Sequence, residues 1–167
     1  SILVGLMSGF YHATSSFIGE VFDYSAMFFI STYFICVNLA RIRGWSYKKL
    51  RIVAACVLIP SIALLIQFKI VGASLFGMQV AAAVLIEFQL WRTRQQKVNY
   101  TPLLLNLACF ITAYGIWNLD RLRIVCSPQT HWISGHAIWH LLDAGALYFM
   151  YRYYMQFKLD EPPNKKI

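Results

Sequence analysis

The chain has 167 residues, of which 59% are hydrophobic and only 13% are charged, and its formal net charge is +8. A soluble domain of this size does not need so much apolar surface, so the composition indicates a membrane protein. The basic residues lie between the apolar stretches, where they set orientation in a membrane, and this placement argues against nucleic acid as a partner.

Six apolar stretches separated by short polar breaks predict an all-α, polytopic transmembrane helix bundle, because a spanning helix needs roughly 20 predominantly apolar residues. The spans are expected near residues 1–14, 22–40, 50–68, 70–91, 102–119 and 134–156. The first span is too short to cross a bilayer, which predicts that residues precede Ser1 and leaves room for an upstream helix. Residues 1–157 are expected to form one transmembrane domain, and residues 158–167 a polar, disordered tail.

Basic clusters fill alternate breaks and predict which side of the membrane each break faces. They are Arg41, Arg43, Lys48, Lys49 and Arg51, then Arg92, Arg94 and Lys97, then Arg152, Lys158, Lys165 and Lys166. These breaks and the C-terminus are expected in the cytoplasm, and the other breaks on the outer or lumenal side. The chain is thus predicted to be an integral multi-pass membrane protein, of the ER or Golgi if eukaryotic and of the inner membrane if bacterial.

Polar and ionisable side chains inside lipid are costly, so their positions indicate a functional site. They gather at the outer ends of three spans. These residues are Ser8 and His12 on one face of the first span, Glu20 and Asp23 at the start of the second, and His136 and His140 on one face of the last.

Three histidines from two helices match the pattern of a catalytic zinc site, which uses three protein ligands and leaves one position open. His136 and His140 are four residues apart, as in the HExxH motif, although the glutamate of that motif is missing. Such a pair alone is also typical of a hydrogen-bonded packing feature or of heme ligation. Because His12 and Asp23 are expected at the same depth, the residues favour zinc or another divalent metal bound by His12, His136 and His140.

Three further acidic residues are less specific. Asp143 lies one turn beyond His140 and either orients that histidine or has a local structural role. Asp120 begins an outer break beside two arginines, so a local ion pair is expected. Glu87 lies near a cytoplasmic helix end, where its side chain is expected to reach the interface.

The motifs together resemble a membrane hydrolase superfamily that contains the alkaline ceramidases, the progestin and adipoQ receptors and the proteins that remodel lipids on GPI anchors. The shared pattern is S-x-x-x-H, an aspartate eleven residues later, and a distal H-x-x-x-H. WNLDRLRIVC followed by GHAIWHLL is most similar to the alkaline ceramidases, which carry a tryptophan, an aspartate and a cysteine ahead of an HAxWH element. The resemblance spans nearly the whole chain and implies a bundle of seven helices, of which six are visible here. The acidic N-terminal segment that binds calcium in some ceramidases is not seen in this sequence, so calcium control is not predicted.

The resemblance implies a zinc-dependent lipid amide hydrolase, most simply a ceramidase that releases a sphingoid base and a fatty acid. It implies that His12, His136 and His140 bind Zn²⁺, and that Asp23 and Ser8 hold or activate the attacking water. Asp143 and Glu20 are expected to lie next to these residues and to support them without contacting the metal. The expected partners are the membrane and a lipid substrate with long acyl chains, and no protein partner is predicted.

Two alternatives stay open. Glu20, Asp23 and Tyr24 form an E-x-x-D-Y pattern that also resembles the GPI-lipid remodelling branch, whose substrate would be an ester. A receptor-like or scaffold protein could keep the zinc for structure, although structural sites usually close with four protein ligands.

Overall fold

The computed structural model describes residues 2–93, 98–124 and 134–157. Each predicted span overlaps an α-helix in these ranges, so the all-α class is confirmed, although the second helix begins at Phe17 rather than near the predicted residue 22. The helices are α1 (Ile2–Thr14), α2 (Phe17–Arg43), α3 (Tyr47–Gln67), α4 (Gly72–Thr93), α5 (Thr101–Arg121) and α6 (Gly135–Tyr154), with a 3₁₀ turn at Lys69–Val71 before α4. The predicted tail at 158–167, parts of the second and third basic clusters, and Cys126 of the WNLDRLRIVC segment lie outside the described residues.

Within the residues that the structure describes, four helical segments are long and apolar enough to cross a membrane, which makes the chain a polytopic transmembrane bundle. They are α2, α3, the segment Lys69–Thr93 that contains α4, and α5. α1 is apolar but has only 13 residues. α6 has 20 residues, but its histidines, Asp143 and Arg152 make it less apolar. Membrane crossing by α1 and α6 therefore stays a prediction.

The helices fall into two compact units, the first containing α1 to α4 and the second α5 and α6. In the first unit α2 is the central helix, since it packs against α1, α3 and α4. The buried side chains of α2 are mostly small or apolar and include Ala26, Phe28, Ile35, Val37 and Ala40. The single-domain boundary at residue 157 stays a prediction.

Polar side chains connect α2 to α4 along their length. The Ser31 hydroxyl of α2 donates to Gln79 Oε1 of α4, and Gln79 Nε2 donates in turn to the Ser61 hydroxyl of α3 at 2.8 Å. Further along both helices, Asn38 Nδ2 donates to the backbone carbonyl of Ala83 at 3.2 Å. The order of these contacts shows that α2 and α4 run parallel. Hydrogen bonds of this kind join helices in lipid, where water cannot satisfy polar groups.

An ion pair lies at each end of the first unit. Arg41 Nη1 is 2.6 Å from Glu87 Oε2, and the two side chains are only 6% and 7% exposed. The expectation that Glu87 reaches the interface is therefore wrong, because its carboxylate is buried against a cation of α2. At the other end Lys69 Nζ is 2.7 Å from Glu20 Oε2. The α1–α2 turn and the α3–α4 connection thus share one end of the unit, as the alternation of the breaks predicts.

The second unit is an antiparallel pair of helices. Midway along it, Asn106 Nδ2 of α5 donates to the Ala146 carbonyl of α6 at 2.7 Å. At one end the Gln156 carboxamide exchanges two hydrogen bonds of 2.9 Å with the backbone of Asn99. These contacts fix the register of the pair, so the beginning of α6 lies beside the end of α5.

Candidate metal centre

α1 carries Ser8 and His12 on one face, because residues four apart in an α-helix lie one above the other. Ser8 is the only buried residue of α1, all of whose residues are described. His12 is exposed within its last turn. A buried hydroxyl and an accessible imidazole are thus neighbours on the same helical surface.

The turn between α1 and α2 brings the two helices into close contact next to His12. Ser15 has a φ of 46°, and Ser16 caps α2 by accepting a hydrogen bond from the Gly19 N–H at 3.0 Å. A Cβ at Gly19 would lie 2.9 Å from Tyr11 Cα, a distance that real Cβ atoms do not show. The close crossing therefore requires glycine at position 19.

Asp23 lies at the level of the Ser8 and His12 face. Phe10 of α1 contacts Phe22 of α2 edge to face, with ring centroids 6.1 Å apart. In an antiparallel hairpin this contact places the first turns of α2 beside the last turns of α1. The half-buried Asp23 is thus brought to the same end of the hairpin as the two α1 residues.

The segment around Asp23 is anchored by the connection between α3 and α4. Glu20, one turn earlier, is paired with Lys69. Tyr24 packs on Gly72, where a Cβ would lie 2.9 Å from the tyrosine ring. Asp23 lies between these two anchors, so the E-x-x-D-Y pattern fixes one turn of α2 in place. Glu20 has a partner of its own in Lys69, and its supporting role in a metal site stays a prediction.

His136 and His140 lie one turn apart at the start of α6. Their ring centroids are 4.8 Å apart. Ser134 precedes the helix and caps it by accepting a hydrogen bond from the Ala137 N–H at 3.1 Å. The spacing of the histidines and the cap are local features, and both follow the sequence pattern.

Asp120 has a role that the sequence pattern did not reveal. Its Oδ2 accepts a hydrogen bond from the His136 N–H at 2.8 Å. The expected ion pair with neighbouring arginines is not what the structure shows, and the Arg121 guanidinium lies instead over the Trp117 ring, 5.3 Å from its centroid. In the sequence, the only sign of this contact is that an aspartate precedes the Ser-Gly-His start of α6. That order of residues does not identify the N–H group to which Asp120 is hydrogen-bonded.

Asp143 is half-buried one turn beyond His140. Its Oδ1 atom is buried and has no hydrogen-bond partner among the residues that the structure describes. An orienting role toward His140 therefore stays a prediction.

The described part of the chain contains three histidines that could hold a metal ion, His12 in the first unit and His136 and His140 in the second. Imidazole suits zinc, copper, iron and nickel. Three histidine ligands on a four-coordinate zinc would leave one coordination position open.

The fold and these residues define a polytopic helical membrane protein with a candidate three-histidine metal site. Residues 1–166 match the ceramidase family, and the chain belongs to this family. Comparisons with curated proteins and with solved structures gave no match. The resemblance carried by the histidine and aspartate motifs is thereby confirmed. Membership of the family implies a hydrolase that acts on an amide bond of a lipid in a membrane.

Proposed function

We propose that this protein is a zinc-dependent intramembrane amide hydrolase that cleaves ceramide into a sphingoid base and a fatty acid. The observation that carries the proposal is the set of three histidines that could hold a metal ion, His12, His136 and His140, in a chain of the ceramidase family. Three protein ligands leave a position open, as catalytic zinc sites do, whereas structural sites usually close with a fourth protein ligand.

The three histidines would hold Zn²⁺ through one imidazole nitrogen each. Bound Zn²⁺ supplies a Lewis acid that polarises a carbonyl and lowers the pKa of water to about 7. Because each histidine must be neutral to bind a metal, binding is expected to weaken when the imidazoles are protonated at low pH.

Asp23 is the proton carrier in this proposal. Hydrolysis forms a bond between the oxygen of water and the carbonyl carbon and breaks the bond from that carbon to nitrogen. The Asp23 carboxylate accepts the proton that water loses during the attack and returns it to the departing amine nitrogen. Support comes from its half-buried position at the level of His12 and from the anchoring of its neighbours Glu20 and Tyr24.

Ser8 is proposed to steady the carbonyl oxygen as it becomes negative. Its hydroxyl is a hydrogen-bond donor on the same face as His12, and Ser8 is the buried residue of α1. A donor fixed in a water-poor site stabilises developing charge more than it would in water. A structural metal site would need neither this hydroxyl nor the Asp23 carboxylate.

A lipid substrate suits the surroundings of the site. Large apolar side chains such as Phe10, Phe22 and Leu141 are exposed near the ends of α1, α2 and α6 that carry these polar residues. They are compatible with acyl chains, while the scissile bond would lie just below the lipid headgroups. The basic clusters follow the opposite ends of the helices, so the site is proposed to face the outer or lumenal side.

The deciding experiment incubates the purified, zinc-loaded protein with ceramides and, separately, with phospholipids, and identifies released products by mass spectrometry. We expect a sphingoid base and a fatty acid from ceramide, loss of both after chelation, and recovery on addition of Zn²⁺. The His136→Ala variant is the matched inactive control. Fatty acid released from phospholipids alone would favour an esterase, and binding of ceramide without products would favour a receptor or scaffold.

A further inference from the structure

We propose that Asp120 is a positioning residue that fixes the start of α6 and so holds His136 in place as a metal ligand. This inference rests on the metal site proposed above. Asp120 contacts the backbone of the ligand residue, and its role would be exerted through that contact.

The contact joins the end of α5 to the first turn of α6. Asp120 Oδ2 accepts a hydrogen bond from the His136 N–H at 2.8 Å. The first N–H groups of any helix lack partners inside it, and His136 is the second residue of α6. Ser134 caps the N–H of Ala137 from within the same segment, whereas Asp120 caps from a different helix. The second cap therefore ties the position of α6 to that of α5.

Gly135 makes this approach possible. A Cβ at position 135 would lie 2.8 Å from Asp120 Cβ and 3.1 Å from Asp120 Cγ. Asp120 Cβ is fixed to the backbone of α5 and cannot rotate away, so one of the two helices would have to move. The glycine directly before His136 is thus the second half of the contact.

Neighbouring side chains reinforce the same junction. Trp117 of α5 packs against Trp139 of α6, with ring centroids 5.9 Å apart. The Arg121 guanidinium lies over the Trp117 ring, which leaves the Asp120 carboxylate to the helix start. A carboxylate at this position also interacts favourably with the positive end of the helix dipole. The turn that carries the two histidines is therefore held by a hydrogen bond and by ring packing.

The test measures zinc affinity of the full chain in detergent by competition with a chromophoric chelator. Asp120→Ala is expected to weaken zinc binding by about 10–100-fold, the usual effect of losing a group that orients a ligand, while Asp120→Asn, which keeps an acceptor oxygen, stays within about threefold. Gly135→Ala should weaken zinc binding as much as Asp120→Ala does, although it leaves the Asp120 carboxylate in place. Arg123→Gln, at an exposed position three residues further on, is the control and should bind zinc like the parent.

A second readout needs no metal. Amide hydrogen exchange at His136 in the zinc-free protein should accelerate in Asp120→Ala and stay unchanged in Asp120→Asn. If the parent fails to bind zinc, the proposed function is wrong, and exchange alone then tests the anchoring. If Asp120→Ala does not fold, Asp120→Asn and Gly135→Ala decide the question. Parental zinc affinity and parental exchange in Asp120→Ala, or parental values in Gly135→Ala, would overturn the proposal.

Discussion

Arg41 of α2 and Glu87 of α4 form an ion pair of 2.6 Å inside the first helical unit, with both side chains almost completely buried. Arg41 Nη1 also donates to Asn38 Oδ1 at 3.3 Å, on the helix face that contacts α4. Removing two charges from water is expensive, and the attraction between them offsets that expense only while both partners are present. The ion pair therefore fixes the register of α2 against α4.

The first prediction concerns the loss of one partner of this pair. Glu87→Ala leaves the Arg41 charge buried and should lower the free energy of unfolding by about 3–5 kcal/mol, as broken buried pairs do. The double variant Arg41→Met, Glu87→Leu removes both charges and should be much closer to the parent. Denaturant unfolding in detergent micelles measures the free energy of unfolding of the single and the double variant. Equal losses in the single and double variants would show that the charges do not act as a pair.

The second prediction concerns the close crossing of α1 and α2. Gly19→Ala places a Cβ 2.9 Å from Tyr11 Cα, so the helices must separate, with an expected loss of about 1–3 kcal/mol in unfolding free energy. Gly9→Ala is the matched control, because a Cβ there meets nothing within 4 Å, and alanine in a helix is favoured over glycine by up to about 1 kcal/mol. Thermal unfolding compares the two variants. Equal stability of the two would contradict the account of this turn.

The third prediction separates proton transfer from metal binding. The Asp23→Asn variant should fold and bind zinc like the parent. Its turnover of ceramide should fall by roughly 10²–10⁴-fold, the usual contribution of general acid–base catalysis. Ser8→Ala should lower turnover by about 10²–10³ if its hydroxyl supports the oxyanion. Product release and zinc content are measured on the same preparations. Parental turnover by zinc-loaded Asp23→Asn would show that Asp23 is not the proton carrier.

The fourth prediction concerns the ligands. His140→Ala should lose zinc and activity together, because two of the three imidazoles do not hold the metal at parental affinity. The control is His131→Ala, which changes the one histidine outside the proposed set. Elemental analysis should find one zinc per chain in the parent and in the control. Zinc retained at that ratio by His140→Ala would remove this residue from the ligand set.

The fifth prediction concerns orientation. After replacement of the native cysteines, Ile70→Cys should react with an impermeant thiol reagent applied to the outer or lumenal side, since Ile70 is 91% exposed beside Lys69. Ser46→Cys, in the break with the largest basic cluster, should react only after the membrane is opened. The reverse labelling pattern would place the candidate metal site on the cytoplasmic side.

The sequence predicted the helices because their signals are local. The length of each apolar stretch places a helix, and end signals lie within a few residues of it. α2 covers the predicted stretch at 22–40, but it begins earlier, at Phe17, because Ser16 caps it there, and it continues to Arg43, where Gly44 with a φ of 59° ends it. The pairing of His136 and His140 on one face follows likewise from the 3.6-residue turn of a single helix.

The sequence left open which polar atoms meet between helices. Glu87 looked like an interfacial residue and Asp120 like a member of a local ion pair, but their partners are Arg41, which lies 46 residues away, and the backbone of His136, which lies 16 residues away. Helical periodicity fixes the face on which a residue lies, whereas contacts between helices depend on crossing angles and on distances of closest approach. At Gly19 and Gly135 the absence of a Cβ sets those distances, and only the packed helices show which atoms fill the space.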